Sequence, residues 1–192
     1  MHTKRLITVL LTALLAVTLF AACADGDGTD VTDASPSPSQ GEQRSVLIAY
    51  YSDADVPDAA TGASMENPSN VGNVAYIAGF VQEGVGGTMH SIASGAAAPD
   101  VAGYDVVFIG FPNHAGSVPA AVLTFIADND LSGKTVVLFG AYGAGDLSGS
   151  VRAVTAALPD GCTVLEPALA VGRNDMADTR TLVAAWLAEI EF

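Results

Sequence analysis

Three segments, residues 52–74, 111–119 and 140–150, are where this chain gathers the residues that could do chemistry. Each is rich in Gly, Ser, Asn or Pro and follows directly on an apolar run. Such segments bind through backbone N–H groups and short hydroxyls rather than acting as acid or base. The more reactive residue types form no constellation. His2, His90 and His114 are scattered, and Cys23 and Cys162 make neither a disulfide framework nor a Cys-based zinc site. Cys162 reads as a small buried hydrophobe and Trp186 as core, while Asp128 and Asp130 read as a helix end and a turn. Met65, Met89 and Met176 show no cofactor spacing. No Gly-x-Ser-x-Gly elbow occurs in the chain, and Gly133-Lys134-Thr135 is no Walker loop, since Asp128 stands where the leading glycine is needed.

The elements that must position these segments are legible in the hydrophobic pattern. Residues 45–51 (SVLIAYY), 104–111 (YDVVFIGF) and 134–142 (KTVVLFGAY) are continuous apolar runs, the mark of strands buried on both faces. Residues 88–93 are a short strand, and residues 162–171 a strand interrupted near Pro167. Between them fall helices: 70–84 with Val74, Ile77, Ala78 and Val81 inward, and 119–129 with Val122, Phe125 and Ile126 inward. Residues 149–158 turn Val151, Val154 and Leu158 inward, and 175–190 turn Leu182, Ala185, Trp186 and Ile190 inward. Five strands alternating with helices predict a doubly wound α/β sheet rather than a barrel. Ligands of such sheets bind outside the carboxyl ends of the strands, where all three segments fall.

The chain has 192 residues, half of them hydrophobic and 15% charged, with a mean hydropathy of +0.40. Wholesale disorder is excluded. Residues 1–23 carry a positive start at Lys4 and Arg5, a 15-residue apolar run from Leu6 to Phe20, then Ala21, Ala22 and Cys23. This is an export signal, too short for a comfortable membrane span. Phe20-Ala21-Ala22-Cys23 resembles a bacterial lipobox, with Phe20 where Leu is usual, which implies that Cys23 becomes the lipid-bearing first residue. Residues 24–43 hold hardly an apolar side chain and form an acidic Ser/Pro/Gly tether; the folded domain is residues 44–192. The formal charge is −14, and loss of Lys4 and Arg5 with the signal leaves 5 basic and 21 acidic residues, a net −16. Phosphate binding needs a basic face, so nucleic acid is excluded as a partner.

The runs VLIAYYS, YDVVFIGFPNHAGSVPAAVLTFI, LSGKTVVLFGAYGAGDLSGSV and CTVLEPALAV resemble the flavodoxin-like family, and within it the bacterial flavodoxin-type lipoprotein branch. The resemblance covers about residues 45–190 with the elements in the right order. It implies a five-stranded parallel sheet of order 2-1-3-4-5 and FMN as cofactor. Ser52, Gly72, Asn73 and Val74 match the phosphate loop, with Val74 where Thr is usual. An intervening insertion carries Asp53, Asp55, Asp58 and Glu66 and no basic residue. Pro112, Asn113, His114, Ala115 and Gly116 match one flavin-side loop, with His114 and Ala115 in place of the usual aromatics. Tyr142, Gly143, Ala144 and Gly145 match the other, where Tyr142 is the remaining stacking residue.

By that likeness the chain is an FMN-binding redox protein at the extracytoplasmic face of the cell membrane, held there through its lipid alone. The flavin carries the electrons, so no side chain need act as acid, base or nucleophile. The net negative charge disfavours an anionic reduced flavin and favours partners with positive patches. The acceptor is a redox protein or a small molecule such as a quinone. Whether the chain is an electron carrier or an NAD(P)H-dependent flavin or quinone reductase stays open. So does a third reading, a flavodoxin-fold binding module that has lost FMN, to which Val74 and the missing aromatics point.

Overall fold

Apolar runs with no polar face must be covered on both sides, and a parallel sheet between two layers of helices does this. The structure, a computed structural model, describes residues 44–52, 72–94, 97–113 and 115–192. The export signal with Cys23, the tether 24–43, the insertion with Asp53, Asp55, Asp58 and Glu66, and His114 lie outside the described residues. The described residues belong to one unit, Gln40–Phe192. Among them, no helix is long and apolar enough to cross a membrane.

The elements in chain order are β1 (Val46–Tyr50), α1 (Asn73–Val85), β2 (Thr88–Ser91), β3 (Val106–Pro112), α2 (Ala120–Asp128), β4 (Thr135–Tyr142), α3 (Ser148–Ala157), β5 (Thr163–Gly172) and α4 (Thr179–Glu189). All strands pair in parallel, in the order β2-β1-β3-β4-β5. This is the doubly wound sheet that the alternation predicts and the flavodoxin-like order that the resemblance implies. One face of the sheet buries Ile48, Tyr50, Phe108, Val137 and Phe139 with Ile77 and Val81 of α1 and Val183 and Trp186 of α4. The other buries Leu47, Val107, Ile109, Phe111 and Leu138 with Val122, Phe125 and Ile126 of α2 and Val154 of α3. Successive residues of each strand serve opposite layers, which is why these runs show no alternation. Each such side chain, fully buried, stabilises the fold by roughly 1.5–3 kcal/mol.

Two local expectations need correction, on α4 and on Cys162, and one on β5 holds. The segment after β5 does not start as α-helix: Arg173–Asp178 form a 3-10 turn, and α4 begins only at Thr179. Its inward stripe then runs through Val183 and Trp186, while Ala185 is exposed. The strand is interrupted near Pro167 as expected: β5 continues past it, but with an irregularity in the pairing. Leu165 pairs with Val137 and Leu169 with Phe139, so β5 carries two residues more than β4 over that stretch. Cys162 is half-buried rather than core, with its thiol 3.2 Å from the carbonyl of Pro159.

Candidate functional site

The parallel register brings Tyr50 beside Gly110, Pro112 beside Ala141 and Tyr142 beside Gly172, so the carboxyl ends of four strands open onto one region. The N–H of Tyr51 donates to the carbonyl of Gly110 at 2.9 Å and extends the β1–β3 ladder past the strand. Ser52 follows, 4% exposed at the mouth of β1. Across the residues not described, Gly72 caps α1 with φ −55° and ψ 153°, and its carbonyl accepts the N–H of Tyr76 at 3.0 Å. Gly72 has no side chain to cap the helix, and the first turn holds no acidic residue. Among the described residues nothing caps the first N–H groups of α1, which stand at the positive end of the helix dipole. Asn73 is exposed, whereas Val74 is 2% exposed and packed in the core with Ile48 and Tyr50. What Val74 offers the site is its backbone N–H.

The loops after β3 and β4 are built as one rim. Asn113 donates its backbone N–H to the carbonyl of Ala141 and its side-chain N–H to the carbonyl of Asp146, both at 2.8 Å. Its Oδ1 accepts the N–H of Gly116 at 2.8 Å, which closes the turn through Ala115 at φ 51°. A left-handed alanine costs about 1–2 kcal/mol, which these bonds offset. The fully buried hydroxyl of Ser150 donates to the carbonyl of Ser117 at 2.5 Å. A Cβ on Gly149 would stand 2.6 Å from the carbonyl oxygen of Gly116, so only glycine lets α3 press against the first loop. Pro112, Asn113, Ala115 and Gly116 are therefore held against the 142–147 loop, where Gly143, Ala144 and Gly145 are exposed and Leu147 anchors at 2% exposure. Tyr142 is half-buried, with its ring leaning toward Gly172 on β5.

The rim also holds a fixed anion. The carboxylate of Asp146 accepts the hydroxyl of Ser148 at 2.6 Å and its N–H at 2.9 Å, capping the start of α3. These bonds, the hydroxyl first, hold its carboxyl below the usual carboxylate range, with Arg152 adding to the effect. Among the described residues no cluster of His, Cys, Asp or Glu could hold a metal ion. Among the described residues of the rim there is no His, Cys or Lys to take up or deliver a proton at neutral pH; His114 lies outside them. The rim is a surface of backbone donors, small side chains and one phenol, suited to holding a flat polar ligand.

Sequence reasoning named Asn113 as a ligand contact but missed its partners Asp146 and Ser150. Asp146-Leu147-Ser148 just before a helix is a capping pattern that could have been read. It also missed Arg173, whose position against the rim depends on strand register.

A family model for flavodoxin matches residues 90–190, just over half of the chain. No curated protein matches. Solved structures share the fold. A flavodoxin from Fusobacterium nucleatum bound to flavin mononucleotide is 16% identical, with 77% of this chain and 97% of that chain covered at a TM-score of 0.55. A protein from Bacteroides eggerthii, provisionally called a flavoprotein, is 23% identical over 78% of this chain and 99% of its own, TM-score 0.53. A flavodoxin from the domain Archaea is 14% identical over 77% and 99%, TM-score 0.52. With the sheet order, the paired loops and the family match in agreement, the chain belongs to the flavodoxin family.

Proposed function

We propose that this chain is an FMN-binding redox protein, tethered through a lipid on Cys23 to the extracytoplasmic face of the cell membrane. The observation that carries the reading is the locked pair of loops after β3 and β4, standing by the uncapped start of α1. The residues fit FMN at both ends. The buried Ser52 and the first-turn N–H groups of Asn73 and Val74 are donors for a phosphate. The exposed backbone of Gly143, Ala144 and Gly145 admits a flat ring close to the main chain, with Tyr142 as the aromatic beside it. The Fusobacterium relative of like fold was solved with the same nucleotide.

Bound FMN would supply the electron chemistry. The chain's own part is to bind and orient. Asn113 keeps the two loops in register. A redox protein or a quinone-like molecule is the fitting acceptor, and an anionic surface selects partners with positive patches. The acidic residues 24–43 would hold the domain off the bilayer.

Titration of the full chain with FMN and with riboflavin tests the cofactor. Tight FMN binding, weaker riboflavin binding and a yellow protein absorbing near about 450 nm are expected. No binding of either flavin would overturn the reading in favour of an empty binding module. Steady-state turnover with NAD(P)H separates a reductase from a carrier, which shows none alone. Cys23→Ser should leave the protein unlipidated and off the membrane with the domain still folded; unchanged membrane fractionation would refute the anchor.

A further inference from the structure

The ends of β4 and β5 are clasped by two side chains that each lie on a glycine of the other strand. Tyr142 faces its register partner Gly172, where a Cβ would stand 3.2 Å from the phenol oxygen. One residue further along, a Cβ on Gly143 would stand 2.6 Å from Nη2 of Arg173. The guanidinium therefore lies directly on the backbone of the 142–147 loop, in space that any side chain at 143 would take. The domain has four other cations, and each is engaged or placed elsewhere. Arg180 pairs with Glu83, Lys134 donates to the carbonyl of Tyr104, Arg44 lies over the ring of Phe192, and Arg152 sits on α3 acting on Asp146. Arg44 and Lys134 also stand before β1 and β4, at the opposite end of the strands. Arg173 has no carboxylate partner among the described residues. Asp175 lies close by, with Oδ2 at 2.7 Å from a Cβ on Gly172, but forms no ion pair with it.

A cation with no carboxylate partner among the described residues, held on the backbone of a loop, is placed to meet an anion arriving at that loop. We infer that Arg173 is the charge-compensating residue of the site, favouring the reduced over the oxidised flavin ring. This rests on the FMN reading above. Two electrons and one proton convert the neutral oxidised ring to a reduced ring with one negative charge, so a nearby fixed cation binds the reduced form more tightly. In a domain with 16 acidic and 5 basic residues over 44–192, a net −11, this local cation opposes the general field. Because Arg173 is exposed, solvent and salt limit the effect to about fivefold in the ratio of reduced to oxidised affinity. That ratio corresponds to about 20 mV in a two-electron midpoint potential.

The test is a dithionite titration of the full chain, loaded with FMN and separately with riboflavin, with the midpoint potential as readout. Arg173→Gln should lower the potential by about 20 mV with both flavins, which places the effect on the ring rather than the phosphate. Gly143→Ala keeps every charge but displaces the guanidinium, and it should lower the potential in the same direction. Arg44→Gln removes the same charge from the far end of the strands and should move it much less. Equal shifts from Arg173→Gln and Arg44→Gln would overturn the assignment, as would a shift confined to FMN. Wild-type protein that binds neither flavin would overturn the cofactor reading and this assignment together.

Discussion

Asn113 reaches from the loop after β3 to the loop after β4 and donates a side-chain N–H to the carbonyl of Asp146 at 2.8 Å. With its Oδ1 closing the turn at Gly116 and its backbone bonded to Ala141, one residue sets the spacing of two loops. Neither loop has a hydrophobic anchor between Pro112 and Ser117 or between Gly143 and Asp146, all exposed or half-buried where described. Their shape therefore depends on these polar contacts.

Asn113→Ala should accordingly weaken flavin binding without unfolding the domain. Losing two side-chain bonds costs about 1–3 kcal/mol of loop order, or roughly a five- to hundredfold loss of affinity. FMN and riboflavin should suffer equally, since the loops flank the ring and not the phosphate. A loss limited to FMN in paired fluorescence titrations would show that Asn113 serves the phosphate instead.

Ser52 and Tyr142 should divide the binding energy the other way. Ser52→Ala removes a hydroxyl at the mouth of β1, and a lost bond to a charged group costs about 1.5–3 kcal/mol. FMN should weaken roughly ten- to hundredfold while riboflavin is unchanged. Tyr142→Leu keeps an apolar side chain against Gly172 but removes the ring, costing about 1 kcal/mol with both flavins. The same titrations on both variants read the partition directly. Val74→Thr, by contrast, puts a hydroxyl into the core beside Tyr50 and should lower stability more than it changes affinity.

Acid stability follows from three aspartates held by serines. Asp105 is bonded by the N–H and hydroxyl of Ser45, Asp130 by Ser132 and Asp146 by Ser148, and each carboxyl is pulled below its usual range. A depressed folded pKa means the unfolded chain binds more protons, so stability rises with pH through this window. The contribution is complete above the unfolded carboxylate value near about 4 and is lost as pH falls through the lower folded values. Asp105→Asn, which removes the titrating group, should flatten the acid limb of an unfolding-stability profile between about pH 4 and pH 2, and Ser45→Ala, which keeps the backbone bond, should do so less. A profile of Asp105→Asn parallel to wild type would refute the linkage at Asp105.

Much of this molecule can be read from its sequence, because the deciding residues are local. Val46–Tyr50, Val106–Phe111 and Val136–Ala141 are buried runs that only a covered parallel strand accommodates, and Val74, Ile77, Ala78 and Val81 fall on one helix face. Where reading failed, the cause was tertiary. Ala185 fits the apolar stripe by spacing, but the 3-10 turn at Arg173–Asp178 rotates the start of α4 and sends Val183 inward. The interruption expected at Pro167 is real, because its carbonyl finds its partner off the neighbouring strand. Asn113 and Arg173 act on residues 33 and 30 positions away, and no spacing rule reports such contacts.

The partner of Pro167 supports a last prediction. Its carbonyl, in the irregular stretch of β5, accepts the indole N–H of Trp186 at 2.7 Å, so α4 supplies the bond that the ladder omits. Trp186 is 4% exposed and meets Phe108 edge to face at 6.0 Å between centroids. Trp186→Phe keeps an aromatic ring against Phe108 but removes the donor and part of the buried area. The bond is worth about 0.5–1.5 kcal/mol, and the lost ring atoms add a similar amount. Urea unfolding should show a loss of about 1–3 kcal/mol at an unchanged denaturant slope, because the folded surface stays the same. Trp186→Leu should cost more, as it also forfeits the aromatic contact. Flavin affinity should not move, since Trp186 packs under the sheet in the layer of α1 and α4, away from the loops at the strand ends. Equal stability of Trp186→Phe and wild type would mean that water satisfies the Pro167 carbonyl as well as the indole does.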